Sequence, residues 1–114
     1  MSITVYHNPR CTKSREAVKY LEEKGADFEI REYLKDSFTE NELDDLLQKL
    51  GIQPEELLRK NEAIFKEQFK GKTLSRTEWI KNMIAFPKLI ERPIVVKEDK
   101  AVVARPAEKI DELV

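Results

Sequence analysis

Cys11 is the single cysteine of the chain and its strongest nucleophile candidate, because a thiolate is intrinsically reactive. It stands in the stretch Tyr6-His7-Asn8-Pro9-Arg10-Cys11-Thr12-Lys13-Ser14. A β-type run, Ile3 to Tyr6, precedes the stretch. An amphipathic run with Ala17, Val18 and Leu21 on one face follows it. The cysteine therefore falls where a strand ends and a helix begins. Free amide N–H groups and the positive end of the helix dipole meet at such a point, and both favour a thiolate. A cysteine that merely packs is the competing reading.

Three neighbours bear on that chemistry. Arg10 and the Ser14 hydroxyl complete an anion-handling loop. The hydroxyl either donates to the sulfur or satisfies a backbone group of the first helical turn. His7, the sole histidine, either tunes Cys11 electrostatically or holds Asn8 and the loop through hydrogen bonds. Further along, Arg59 follows the apolar pair Leu57-Leu58, Arg92 precedes Pro93 and Arg105 precedes Pro106. Guanidinium groups suit tetrahedral oxyanions because they offer rigid forks of donors. Surface arginines at loop ends are the alternative. Arg92-Pro93 is a candidate cis bond that the sequence leaves open.

Composition bounds what these residues can serve. At 114 residues the chain is expected to form one domain around one modest core. A formal net charge of -1 argues against a general nucleic-acid coat or a polybasic membrane surface. One cysteine excludes an internal disulfide, so an adduct on Cys11 needs an external thiol to resolve it. No His/Cys/Asp spacing looks like a metal site, and no P-loop or Rossmann glycine pattern occurs. The absence of a secretory or membrane-spanning apolar segment leads to an expected cytoplasmic location. A monomer is the default for so small a chain.

The elements that must position these groups follow from periodicity. Ile3 to Tyr6 reads as a central strand, and about Thr12 to Lys24 as a helix stopped by Gly25. Phe28 to Tyr33 alternates and reads as a second, parallel strand of a βαβ unit. That arrangement puts Cys11 at the carboxyl end of the first strand, where open α/β sheets bind ligands. Thr39-Glu40-Asn41-Glu42 and Ser75-Arg76-Thr77-Glu78 are capping boxes opening two helices. Pro54 opens a short helix, and Ile64, Phe65 and Phe69 mark another amphipathic stretch. Ile94 to Lys97 and Ala101 to Ala104 read as a hairpin around Glu98-Asp99-Lys100. Pro106 sits at the first turn of a final helix carrying Ile110, Leu113 and Val114. Without the helical block, the order is βαββα.

Four segments carry a likeness across nearly the whole chain: His7-Asn8-Pro9-Arg10-Cys11, Leu57-Leu58-Arg59-Lys60-Asn61, Glu91-Arg92-Pro93-Ile94-Val95-Val96 and Ala104-Arg105-Pro106. In this order and spacing the chain resembles the glutaredoxin-coupled arsenate reductase family of the thioredoxin-like superfamily. The resemblance implies an α/β, thioredoxin-like βαβ…ββα core over residues 1–114, with a helical insertion at approximately 38–88. It implies Cys11 as the catalytic thiol, with His7 and Ser14 beside it in catalysis. Arg59, Arg92 and Arg105 become the substrate-binding groups, to which the reading of the loop adds Arg10, and Pro93 becomes the structural cis proline. The implied reaction reduces arsenate to arsenite through an arsenic–sulfur adduct on Cys11. Glutathione is the implied co-substrate and glutaredoxin the implied partner, with no bound cofactor or metal.

Thr12-Lys13 departs from the Gly-Thr of the best-known reductases and resembles a sister group with Cys-Thr/Ser-Lys-Ser. Two alternatives stay open at this point. One is a regulatory protein resembling the RNA-polymerase-binding relatives of the fold, although those carry Cys-x-x-Cys where Ser14 stands here. The other is a redox protein resembling the monothiol glutaredoxins.

Overall fold

A computed structural model describes residues 3–113 of the chain. They divide between two compact units, residues 3–36 with 92–113, and residues 37–91. The first unit holds a four-stranded sheet formed by β1 (Ile3–Tyr6), β2 (Glu29–Arg31), β3 (Ile94–Lys97) and β4 (Lys100–Val103), in the order β2-β1-β3-β4. Helix α1 (Thr12–Glu23) joins β1 to β2, which run parallel with Val5 opposite Ile30. β3 pairs antiparallel with β1, Val95 opposite Val5, and β4 pairs antiparallel with β3. This is the mixed α/β core expected from the order of elements, and it has the thioredoxin-like arrangement that the resemblance implies.

One face of the sheet packs on α1 through period-matched residues. Ile3 and Val5 alternate inward along β1, and Ala17 and Leu21 recur four residues apart along α1. With Val95, Ala104 and Ile110 they form a single buried cluster. Lys24 ends α1, and Gly25 takes φ 70, the left-handed conformation a glycine adopts without a Cβ clash. Tyr20 donates its hydroxyl proton to the Asp111 carboxylate at 2.8 Å and ties α1 to the C-terminal turn.

Three expectations change in this unit. β2 covers Glu29–Arg31 and not Phe28 to Tyr33. It is an edge strand with one neighbour, and beyond it the Glu32 carbonyl accepts the Lys35 and Asp36 N–H groups, which turns the chain. Alternation there did not report burial, for Ile30 stays 48% exposed. The hairpin closes over Glu98-Asp99, with β4 already beginning at Lys100. The final helix is a 3-10 turn, Ala107–Glu112, with Pro106 as its N-cap and not in its first turn. Val114, placed on that helix from the sequence, lies outside the described residues.

The second unit is helical: α2 (Glu40–Leu50), α3 (Ala63–Gln68) and α4 (Arg76–Ala85), with 3-10 turns at Pro54–Leu57 and Pro87–Leu89. Both capping boxes close. The Thr39 hydroxyl accepts the Glu42 N–H while the Glu42 carboxylate accepts the Thr39 N–H, and Ser75 with Glu78 repeats the pattern. Leu43 and Leu47 of α2 and Met83 of α4 are fully buried. Phe69 packs against Trp79 and Phe86 with ring centroids 5.8 and 5.9 Å away. Asp44 accepts from Arg76 Nε at 2.8 Å and joins α2 to α4. The short helix at Pro54 is 3-10, with the proline in its first turn.

The two kinds of stabilisation differ in size. Leu47→Ala is expected to destabilise the protein by about 2–5 kcal/mol. Thr39→Ala, which removes one capping hydroxyl, is expected to cost about 1 kcal/mol. Urea unfolding of the two variants checks the ranking.

Candidate active site

β1 ends at Tyr6, and the chain then turns once before α1 begins. The turn is built by its own polar groups. Cys11 N–H donates to the Asn8 carbonyl at 3.0 Å, and Arg10 N–H donates to Asn8 Oδ1 at 3.0 Å. His7 N–H donates to the Arg31 carbonyl at 2.9 Å and fixes the start of the turn against β2. Cys11 is the N-cap of α1, with extended backbone angles of φ -92 and ψ 123. Its thiol is half-buried.

Burial pushes the Cys11 thiol up, but the stabilising groups win and hold it below the ordinary value of 9.0. In order of weight these are the Ser14 backbone N–H, the Arg92 guanidinium acting as hydrogen-bond donor and then as charge, and the Lys13 backbone N–H. The amides are those that a helix start leaves without an intrahelical acceptor. No acid sits in the first turn to compete with the sulfur for them. The arrangement is that of a nucleophile poised as thiolate.

Ser14 takes part through two different atoms. Its N–H acts on the sulfur, while its fully buried hydroxyl accepts the Asn8 N–H at 3.1 Å. Neither role expected for that hydroxyl, donation to the sulfur or a bond to a backbone group of the first helical turn, is the one displayed: it holds the loop ahead of the helix through the Asn8 N–H. His7 is buried, and desolvation lowers its pKa below the usual 6.5, against an opposing pull from Glu32 and with a smaller push from Arg15. The ring is therefore neutral at pH 7, and its Nδ1 is buried without a hydrogen-bond partner. The positive charge beside the sulfur is that of Arg92.

Arg92 and Arg105 lie at the two ends of the hairpin, at the same end of the sheet. Arg105 Nη1 donates to the Arg92 carbonyl at 3.2 Å. The Arg92-Pro93 bond is cis, and so is Arg105-Pro106, which the sequence did not signal. Arg10 is exposed, with its backbone N–H engaged in the loop. Arg59 belongs to the helical unit. A short antiparallel bridge, Leu58 opposite Ile90, holds it there, and its guanidinium meets Glu62 at 3.3 Å and Glu91 at 3.5 Å. Sequence reasoning missed Arg15, whose guanidinium reaches back to the Pro9 carbonyl and the Thr12 hydroxyl. Among the described residues no group of three or more His, Cys, Asp or Glu side chains is placed to hold a metal, and no helix is long and apolar enough to cross a membrane.

Fold and site together define a thioredoxin-like protein with one helix-capping thiol and an arginine beside it. The particular family follows from comparison: the ArsC family model matches residues 6–113, and the chain belongs to the ArsC family. The uncharacterised protein YfgD of Escherichia coli K12 is 42% identical over 114 residues, which covers 98% of this chain and 96% of YfgD. An arsenate reductase of Haemophilus influenzae is 39% identical over 115 residues, covering 99% of each. The structure of an arsenate reductase from Vibrio cholerae aligns with a TM-score of 0.95 at 40% identity, over 100% of this chain and 98% of that one.

Proposed function

We propose that this protein is an arsenate reductase that works through a covalent adduct on Cys11 and takes its electrons from glutathione and glutaredoxin in the cytoplasm. The observation that carries the reading is the Cys11 thiol held below its ordinary pKa by the Ser14 and Lys13 amides and by Arg92. The names of the Haemophilus and Vibrio relatives support arsenate as the substrate. The lone cysteine supports an outside reductant, because no second thiol in the chain can resolve an adduct.

The Cys11 sulfur attacks arsenic with its lone pair, an S–As bond forms, and one arsenate oxygen leaves as water after taking up protons. Arg92, lying against the sulfur, stabilises the charge of the attacking thiolate and of the incoming oxyanion. Arg105, bonded to the Arg92 carbonyl, and Arg10 add cationic donors. Arg59 is assigned to the oxyanion from its place in Leu57-Leu58-Arg59-Lys60-Asn61. Glutathione then attacks the adduct and a glutaredoxin thiol completes the reduction. Over the cycle, arsenate and two thiols yield arsenite, one disulfide and one water, so arsenic gains the electron pair the thiols lose. Ser14 and His7 serve this chemistry by shaping the loop.

The test is arsenate-dependent NADPH oxidation with glutathione, glutaredoxin and glutathione reductase present. The expected result is turnover above the protein-free rate that requires all three. A folded native chain giving no excess rate overturns the arsenate assignment.

A further inference from the structure

We infer that Arg15 is a positioning residue for Cys11, a clamp that spans the nucleophile loop and keeps the sulfur aligned with its donors. Its guanidinium fork engages the chain on both sides of the cysteine. Nη1 donates to the Pro9 carbonyl at 2.9 Å, and Nη2 donates to the Thr12 hydroxyl at 3.3 Å. Arg15 N–H also donates to the Cys11 carbonyl at 3.0 Å as the first regular bond of α1. One residue therefore holds positions 9, 11 and 12, two before the nucleophile, the nucleophile itself and one after.

The placement is unfavourable for the helix alone. A cation in the opening turns of a helix opposes its dipole, and no acid of the first turn offsets it. Lys13 carries its own ion pair with Glu16 at 3.6 Å, so that acid is already shared. The compensation for Arg15 lies in the loop it ties. The remaining bonds of the turn converge on Asn8: Ser14 takes the Asn8 N–H, and Asn8 takes the Cys11 and Arg10 N–H groups. The Arg10 N–H bond holds the Pro9–Arg10 peptide by its amide side, and Arg15 holds the same peptide by its carbonyl. A shift of the Pro9–Thr12 segment would swing the sulfur away from the Lys13 and Ser14 amides and from Arg92.

The clamp also gives Thr12 a purpose. The hydroxyl supplies the second acceptor of the fork, which a glycine at this position could not. The conformational freedom that a glycine would bring to the loop is replaced here by a side-chain tether.

This inference rests on Cys11 being the working nucleophile and not on arsenate being the substrate, so its test reads the thiol directly. The measurement is the pH dependence of Cys11 alkylation by iodoacetamide in the native chain, Arg15→Lys, Arg15→Ala and Thr12→Val, each checked for its melting temperature. Arg15→Lys is the deciding variant, because it keeps the charge and loses the fork. Its thiol midpoint is expected to move upward, Arg15→Ala further, and Thr12→Val in the same direction. The alkylation rate of Arg15→Ala below the native midpoint is expected to fall about tenfold, the loss of thiolate that accompanies an upward shift of about one pH unit in the midpoint. A native midpoint in Arg15→Lys would assign Arg15 a charge effect and overturn the clamp. Native titration in all variants, with only the melting temperature lowered, would make the role structural and overturn it equally. Neither result touches the arsenate assay, which fails or succeeds on the native chain.

Discussion

Cys11→Ser is expected to abolish arsenate-dependent turnover, by roughly 10³-fold or more. The substitution keeps the helix start, since serine is a preferred N-cap residue, so loss of folding is not a competing explanation. It removes the one atom whose acidity the surroundings adjust. A serine hydroxyl at this site meets the same amides and the same guanidinium, yet it stays protonated, because an alcohol is a far weaker acid than a thiol and is a weak nucleophile without an adjacent general base. No other cysteine exists to take over. The coupled assay on the native and variant proteins, with circular dichroism as the folding control, checks the result. Residual turnover near the native rate would remove Cys11 from the reaction.

Arg92→Met is the second large effect. Methionine keeps much of the aliphatic length and removes both the hydrogen bond to the sulfur and the charge. Turnover is expected to drop by about 10²–10³-fold, the range seen when a preorganised donor is deleted from a site of developing charge. The acid limb of the pH profile gives the sign. With the thiol pKa lowered in the native site, the thiolate persists at a pH where a free cysteine would be protonated, and activity is lost only as the pH falls through that lowered value. Without Arg92, burial still raises the pKa and only the amides oppose it. The limb must therefore move to higher pH, and part of the lost rate should return as the pH rises. Arg92→Lys restores charge without the fork and is expected to recover the limb more than the rate. A pH–rate series on the three proteins reads both.

Much of this was legible in the sequence because local signals agreed with the fold. The alternation of Ile3 and Val5, the spacing of Ala17 and Leu21, and the two capping boxes each specify an element without help from distant residues. The position of Cys11 at a strand-to-helix junction followed directly. β2 was read too long because its alternating pattern sits on a sheet edge, where only one strand supplies pairing and Ile30 has little to pack on. The split role of Ser14 was not readable, since its hydroxyl bonds to a backbone group six residues back and its amide faces the sulfur. Arg15 looks like any charged residue of an exposed helix until its fork is seen to reach Pro9 and Thr12. That Arg92 meets Cys11 depends on β3 pairing beside β1, a contact no local pattern encodes.

The most direct test of the central claim, a Cys11 thiolate that forms a bond to arsenic, is the intact mass of the protein quenched during reaction with arsenate. Peptide mapping would then locate any added mass. The native chain is expected to carry an arsenic-containing adduct confined to Cys11, absent from Cys11→Ser and discharged when glutathione and glutaredoxin are added. An unmodified Cys11 in a protein that is turning over arsenate would contradict the account.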